Sequence, residues 1–471
     1  MVAFRRLVAF LVLAVLAGGC TPGNILPQTA ATAAEGSATL PSEVEKAVGP
    51  AYPAPELQAF VSRVGQRVVS RAGVPGSYRF FVLDQPVANA HALSSGYVFV
   101  TRGLLALMDD EAELAAAMGH ELGHLTEHHA AQREQARRRV MDAAVDAALR
   151  SGSVTVGRSV ARDGLVLLRR YSRDQELEAD RVGVGYITRA GYRGDAMITL
   201  IEKLRRQSIL EDRAYGQPEE SREPSALSTH PAADDRLVAL RGMAGTDRPG
   251  ESGRTGYLAA IDGMSVDDSP EEGFVHGPTF QHPTMRIAFS ALRDFRLYND
   301  HDGVLGIGSD RSLLFFSCRA GSIPGRLDDW MRNKLQPTPT DIRSTEIGGA
   351  EAAIGARPRG PDTGLSQVRY VLIRRPDGIC YFNLLSDGPD RDRRIAAMVE
   401  AARSFHDLTP AQAAALRPYR LRVVPRGGAS AAAFAARMPY PDLKLDRLLT
   451  LNGVDDAAAF ARREQVKIVE P

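Results

Sequence analysis

The chain has 471 residues, 44% hydrophobic and 24% charged, an ordinary globular composition that is long enough for roughly two to four domains. Lys+Arg 58 against Asp+Glu 57 leaves a formal charge of +1, so no basic field points to nucleic acid. With 43 Gly, 28 Pro and 3 Cys it is neither a coiled coil nor a disulfide scaffold, and no run approaches the ~18–20 apolar residues of a membrane span.

Arg5 and Arg6 precede an apolar run from Leu7 to Leu16 that closes with Ala17, Gly18, Gly19 and Cys20. A positive start, a short apolar core and small residues before a break predict a secretory signal over 1–19, with a single anchor helix as the alternative. The small residues ahead of Cys20 resemble a lipoprotein signal. That resemblance implies lipidation of Cys20, a membrane tether and, with Thr21 beside it, an outer-membrane protein facing the periplasm. Residues 20–52 are small, polar and Pro-punctuated, which predicts a flexible tether.

Leu57, Phe60, Val61, Val64 and Val68 follow helical spacing between Pro53 and Gly73. YRFFVLD (78–84) and YVFVT (97–101) predict strands around a loop carrying Asn89, His91 and Gly96. Asp110, with Glu113 three residues on, predicts the N-cap of a helix through 111–129. A Gly/Asp/Pro/Ser-rich stretch over 246–273 predicts a linker between a first domain, 53–245, and the C-terminal part of the chain. Residues 274–410 read as a small α+β domain of short strands with a helix near 392–404. Within it Cys318 and Cys380 lie in apolar runs, and in an exported protein they form one disulfide or remain two buried thiols. The order of LRVV, AAAFAARM, LDRLLTLNGV and VKIV over 418–470 resembles a LysM module, which implies peptidoglycan as a partner. The fold class is therefore α+β and multidomain.

The chemistry concentrates in MGHELGHLTEHH. His120 and His124, four residues apart on a helix, share one face and can reach one small cation. Glu121, one position around, addresses a water activated by that cation, the H-E-x-x-H logic of zinc hydrolysis. Leu114, Met118, Leu122 and Leu125 at core spacing predict that this helix is buried, where bare histidines need partners. Gly119 and Gly123, each costing up to ~1 kcal/mol in a helix, allow another element to approach closely. Two imidazoles leave zinc one protein ligand short. In YSRDQELEADRVGVGYI, Glu176 can supply it and Asp180, at i+4, can hold a ligand histidine's second N–H. Glu178 is the rival, about 200° around the helix from Glu176.

HELGH followed by SRDQELEAD resembles the gluzincin zinc peptidases of the HtpX and CAAX-prenyl-peptidase type, whose second motif reads S-R-x-x-E-x-x-A-D. Soluble periplasmic β-barrel assembly-enhancing proteases are the most similar branch. The similarity spans about 53–245 and includes Asn89 to Leu105 and STHP with a downstream arginine, Ser228 to Arg236. It implies a mainly helical zincin domain with a small sheet. It also implies one Zn2+ held by His120, His124 and Glu176, with Glu121 as general base. His230 is either a loop anchor beside Pro231 or, as in relatives, a loop histidine that enters the site as latch or oxyanion stabiliser. His128 and His129 read as solvated helix positions, and the arginines near 133–139 as a solvated face. The region around Asn89, Gly96 and Tyr97 is expected to form an edge strand that pairs with an extended, unfolded polypeptide substrate. The resulting expectation is an envelope endopeptidase acting on misfolded or unassembled exported proteins. An assembly or holding factor with a latched zinc site is the alternative.

Overall fold

The computed structural model describes residues 39–471 apart from 152, 216–229, 231–232, 244, 301–302, 322, 358–366 and 388–389. The expected signal, Cys20 and most of the expected tether lie outside the described residues. The end of that tether is ordered: in α1 (Ser42–Val48) and just before it, Val44 and Leu40 pack on Phe81, Leu83, Tyr97 and Phe99. Four apolar residues in a small patch outweigh the polar composition around them.

Next, α2 (Pro55–Ala72) starts with Pro at its first turn and ends at Gly73 in the left-handed conformation, burying the predicted Leu57-to-Val68 stripe. Strands β1 (Arg79–Leu83), β2 (Ala90–Ala92) and β3 (Tyr97–Thr101) form a sheet of order β1-β3-β2, with β1 and β3 parallel. After α3 (Arg102–Leu107), α4 (Glu111–Thr126) begins at Asp110, whose Oδ1 accepts the Glu113 N–H. Helices α5 (His129–Ser151), α6 (Val154–Arg189), α7 (Ala196–Tyr215) and α8 (Ala233–Arg241) come after it.

The expected linker is not one. It contains α9 (Arg254–Ile261) and β4 (Ser265–Val266), with Tyr257, Leu258 and Ile261 buried and the Tyr257 hydroxyl donating to Leu105 O at 2.7 Å. Three apolar residues at helical spacing override the loop-like composition.

The chain then builds the α+β region. Strands β5 (Phe274–His276), β6 (Thr279–His282), β7 (Ile287–Ser290) and β15 (His406–Asp407) make one sheet. The larger sheet runs β11 (Thr340–Ile347), β12 (Ala350–Ala356), β13 (Gln367–Arg375), β14 (Gly378–Ser386), β10 (Leu313–Ala320), β9 (Gly303–Gly308), β8 (Phe295–Asp300), all antiparallel. The helix α11 (Arg391–Ala402) supplies Ile395, Met398 and Ala402 to one core, and α10 (Leu327–Lys334) packs on another. Cys318 and Cys380 face each other across β10 and β14 and are joined as a disulfide.

After α12 (Pro410–Ala415) the chain returns. Strand β16 (Tyr419–Pro425) pairs with β4 and with β17 (Gln465–Glu470), bracketing α13 (Ala431–Arg437), α14 (Lys444–Leu451) and α15 (Ala457–Ala461). Leu421, Phe434, Leu448, Phe460 and Ile468 share one core with α2, α4 and α7. The Lys467 ammonium is fully buried and donates to the carbonyls of Ala106, Leu107 and Met108 at 2.7, 3.2 and 2.6 Å, at the end of α3. It also pairs with Asp109, which faces Lys203, Arg254 and Arg463 as well. The C-terminal strand is thereby fastened to the segment that launches α4. No helix among the described residues is long and apolar enough to cross a membrane.

Candidate metal centre

Glycine decides how α4 meets α6. A Cβ at Gly123 would stand 2.9 Å from Ala179 O, and one at Gly183 would stand 3.0 Å from Gly119 C and His120 N. The two helices therefore touch backbone to backbone, and Glu176 arrives beside the histidines.

His120 Nε2 and His124 Nε2 are 3.0 Å apart; Glu176 Oε2 is 3.3 Å from the first and Oε1 3.4 Å from the second. Edges of about 3.3 Å are what a tetrahedral zinc with ~2.0–2.1 Å bonds requires. His230 joins them, its Nδ1 3.2 Å from His120 Nε2 and 3.0 Å from Glu176 Oε2, and one ligand atom from each of the four lies within 4.8 Å of the others. Glu121, buried, reaches His230 Nε2 at 3.4 Å and stands outside the donor set.

The donors suit a divalent cation. Glu176 Oε1 is buried with no hydrogen-bond partner among the described residues. Burial alone would raise the Glu176 pKa, but the imidazoles of His120, His124 and His230 crowded around it hold it far below the usual carboxylate range. Burial lowers His124 to about 4, leaving the neutral ring that ligation requires. At His120 burial and Arg236 press downward, yet the hydrogen bonds to Asp180 and Glu176 win and carry the ring to about 9. A cation at the shared point would replace that proton.

The outer groups are equally specific. Asp180 Oδ1 is 2.9 Å from His120 Nδ1, and Arg236 donates to Asp180 through Nε and Nη2 at 2.7 and 2.6 Å. Burial would raise Asp180; the Arg236 guanidinium brings it down to about 2, so it stays an acceptor. Against His120, Glu121 and His230 lies a cavity of about 40 Å³, walled by Asn89, Leu104, Met197, Leu200 and Leu204.

The family model for peptidase family M48 matches residues 55–244. The chain is 30% identical over 207 residues to the beta-barrel assembly-enhancing protease of Escherichia coli strain K12, covering 41% of this chain and 40% of that protein. The mitochondrial metalloendopeptidase OMA1 of Schizosaccharomyces pombe is 31% identical over 179 residues (38% of this chain, 50% of that protein), and the human one 30% over 185 residues (36% and 33%). The chain thus spans about two fifths of the length of its bacterial relatives.

Within residues 55–244 the structure brings His120, His124, Glu176, Glu121, Asp180 and His230 together. Glu178, the rival, instead meets His129 at 3.3 Å. Asn89 lines the cavity and β2 forms the sheet edge. Gly96 and Tyr97 do not belong to that edge. Tyr97 opens the central strand β3, buried and clustered with Phe81 and Phe99, and Gly96 at φ 89 is the turn before it. The residue missed from the sequence is His129: it is wholly buried, with its Nδ1 2.8 Å from His124 Nδ1.

Proposed function

We propose that this chain is a zinc-dependent endopeptidase of the cell envelope that cleaves misfolded or unassembled exported polypeptides. The carrying observation is the convergence of His120, His124 and Glu176 on one point, with Glu121 alongside. Bound zinc supplies a Lewis acid that acidifies water and polarises the scissile carbonyl. Glu121 removes the proton from the attacking water and delivers it to the leaving amine. Asp180 and Arg236 keep His120 oriented. The β2 edge supports binding of an extended backbone, because main-chain hydrogen bonds at a sheet edge need an unfolded segment.

His230 stands as a latch in this conformation: its ring sits among the metal donors, where a substrate carbonyl would have to enter. His230→Ala should therefore raise cleavage, whereas an oxyanion-stabilising role would lower it. The envelope assignment draws on the name of the Escherichia coli relative and on the expected signal and lipidated Cys20, which palmitate labelling tests. Over 419–470 two paired strands enclose three helices, and co-sedimentation of the full chain with purified sacculi tests the LysM-like reading and peptidoglycan as a partner.

Glu121→Gln decides between peptidase and holding factor. Zinc retained with casein cleavage lost supports hydrolysis. Envelope function that survives the substitution supports the holding role.

A further inference from the structure

The two ligand histidines are held from behind by different chemistry. Behind His120 is a carboxylate, Asp180, clamped by Arg236. Behind His124 is a second imidazole. His128 adopts φ 55, a left-handed conformation costing a non-glycine residue roughly 1 kcal/mol, and this turn swings the first residue of α5 back beneath α4. His129 lands with no exposed surface, ring centroid 5.0 Å from that of His124 and Nδ1 facing Nδ1 at 2.8 Å. Its other nitrogen, Nε2, lies 3.3 Å from Oε2 of half-exposed Glu178, and its carbonyl accepts from Gln175 Nε2 at 3.5 Å.

Two facing ring nitrogens bond only if one carries a proton and the other a lone pair. Nε2 of His124 points at the metal position, so its lone pair is committed there and its proton sits on Nδ1. His129 must then accept at Nδ1 and carry its own proton on Nε2, the atom aimed at Glu178. Each hydrogen bond fixes the direction of the next.

We propose that His129 is the positioning residue of His124: it selects the tautomer and ring orientation that present Nε2 to the metal, and Glu178 in turn selects the tautomer of His129. This rests on the zinc-peptidase reading and adds to it a ligand relay, His124–His129–Glu178. A neutral acceptor polarises His124 less than Asp180 polarises His120, making His124 the weaker of the two imidazole donors.

The test is zinc affinity of the full chain, by competition with a chromophoric chelator. His129→Phe keeps the bulk but removes the acceptor and should weaken zinc about 10–100-fold. His129→Gln, whose carbonyl can take the same N–H, should stay within about threefold of the native protein, as should Glu178→Gln, which leaves His129 its acceptor. Circular dichroism of the metal-free proteins checks folding. Should the Phe variant fail to fold, nitrogen-15 histidine spectra of the native zinc-loaded protein decide: His124 protonated on Nδ1 and His129 on Nε2 is the expected pair, and His129 protonated on Nδ1 overturns the relay. A native chain that binds no zinc ends the peptidase reading itself. Zinc bound equally by native, Phe and Gln proteins ends only this inference.

Discussion

Gly123→Ala isolates the contact that places Glu176. In an exposed helix this change stabilises by about 1 kcal/mol, because alanine gives up less backbone freedom on folding. Here the new Cβ would sit 2.9 Å from Ala179 O and 3.1 Å from Ala179 Cα. Those are backbone atoms of α6 and cannot rotate aside, and overpacking of this kind costs about 1–3 kcal/mol. The terms oppose; the steric one is larger, leaving a net loss of about 1 kcal/mol. The effect on the metal should exceed the effect on stability. Ordinary contact needs about 0.5 Å more room, and Ala179 neighbours Asp180 and lies three residues from Glu176. A shift of that size exceeds the ~0.2 Å tolerance of metal–ligand distances. Zinc affinity should fall about tenfold, the low end for a disturbed outer shell. Urea unfolding of the metal-free protein and chelator competition measure the two effects separately. A raised urea midpoint with unchanged zinc affinity would refute the idea that this helix contact positions the carboxylate.

Three further outcomes are expected. Lys467→Met should destabilise by about 3 kcal/mol in urea, the low end for breaking a buried pair, because Asp109 keeps Lys203, Arg254 and Arg463; a change under ~0.5 kcal/mol, the scale of ordinary surface substitutions, would show that the C-terminal strand is not fastened there. Asp268 is held at about 7, mainly by burial and further by Asp267, while its Oδ2 accepts the Val275 N–H. A raised folded pKa contributes stability fully present below pH ~4 and lost as pH rises through 7, so Asp268→Asn should raise Tm more at pH 8 than at pH 5; equal shifts at both would sink the assignment. Chelation should lower stability by about 4 kcal/mol from that at zinc a thousandfold above Kd, and melting curves that coincide with and without EDTA would leave His120, His124 and Glu176 without a metal.

The site was legible where chemistry follows helical spacing. His120 and His124 at i,i+4 and Glu176 and Asp180 at i,i+4 need only the 100° turn per residue, and Gly119 and Gly123 marked where the second helix would come. Spacing carries no information about contacts between distant segments, however. That Lys467 caps α3 more than 350 residues earlier, or that Tyr257 donates to Leu105 O, has no local signature, so a tail and a linker concealed parts of one core. Tyr97 misled for a related reason: alternation predicts a strand but not its place in the sheet, and β3 is central because β1 pairs with it in parallel on the side away from β2.

His129 shows the same gap at the shortest range. Had the predicted helix run unbroken through 129, five residues at 100° each would have turned His129 about 140° away from His124, toward solvent. The helix stops at Thr126, and one left-handed residue, His128, reverses the chain. Nothing in the apolar pattern requires that stop, since Leu125 is the last core residue on α4 either way. The stop coincides instead with long-range contacts: Gly123 lies against Ala179 of α6, and Nδ1 of His124 faces Nδ1 of His129 at 2.8 Å. The break in α4 is what seats His129 against the outer nitrogen of His124, a contact that the two-motif spacing does not locate.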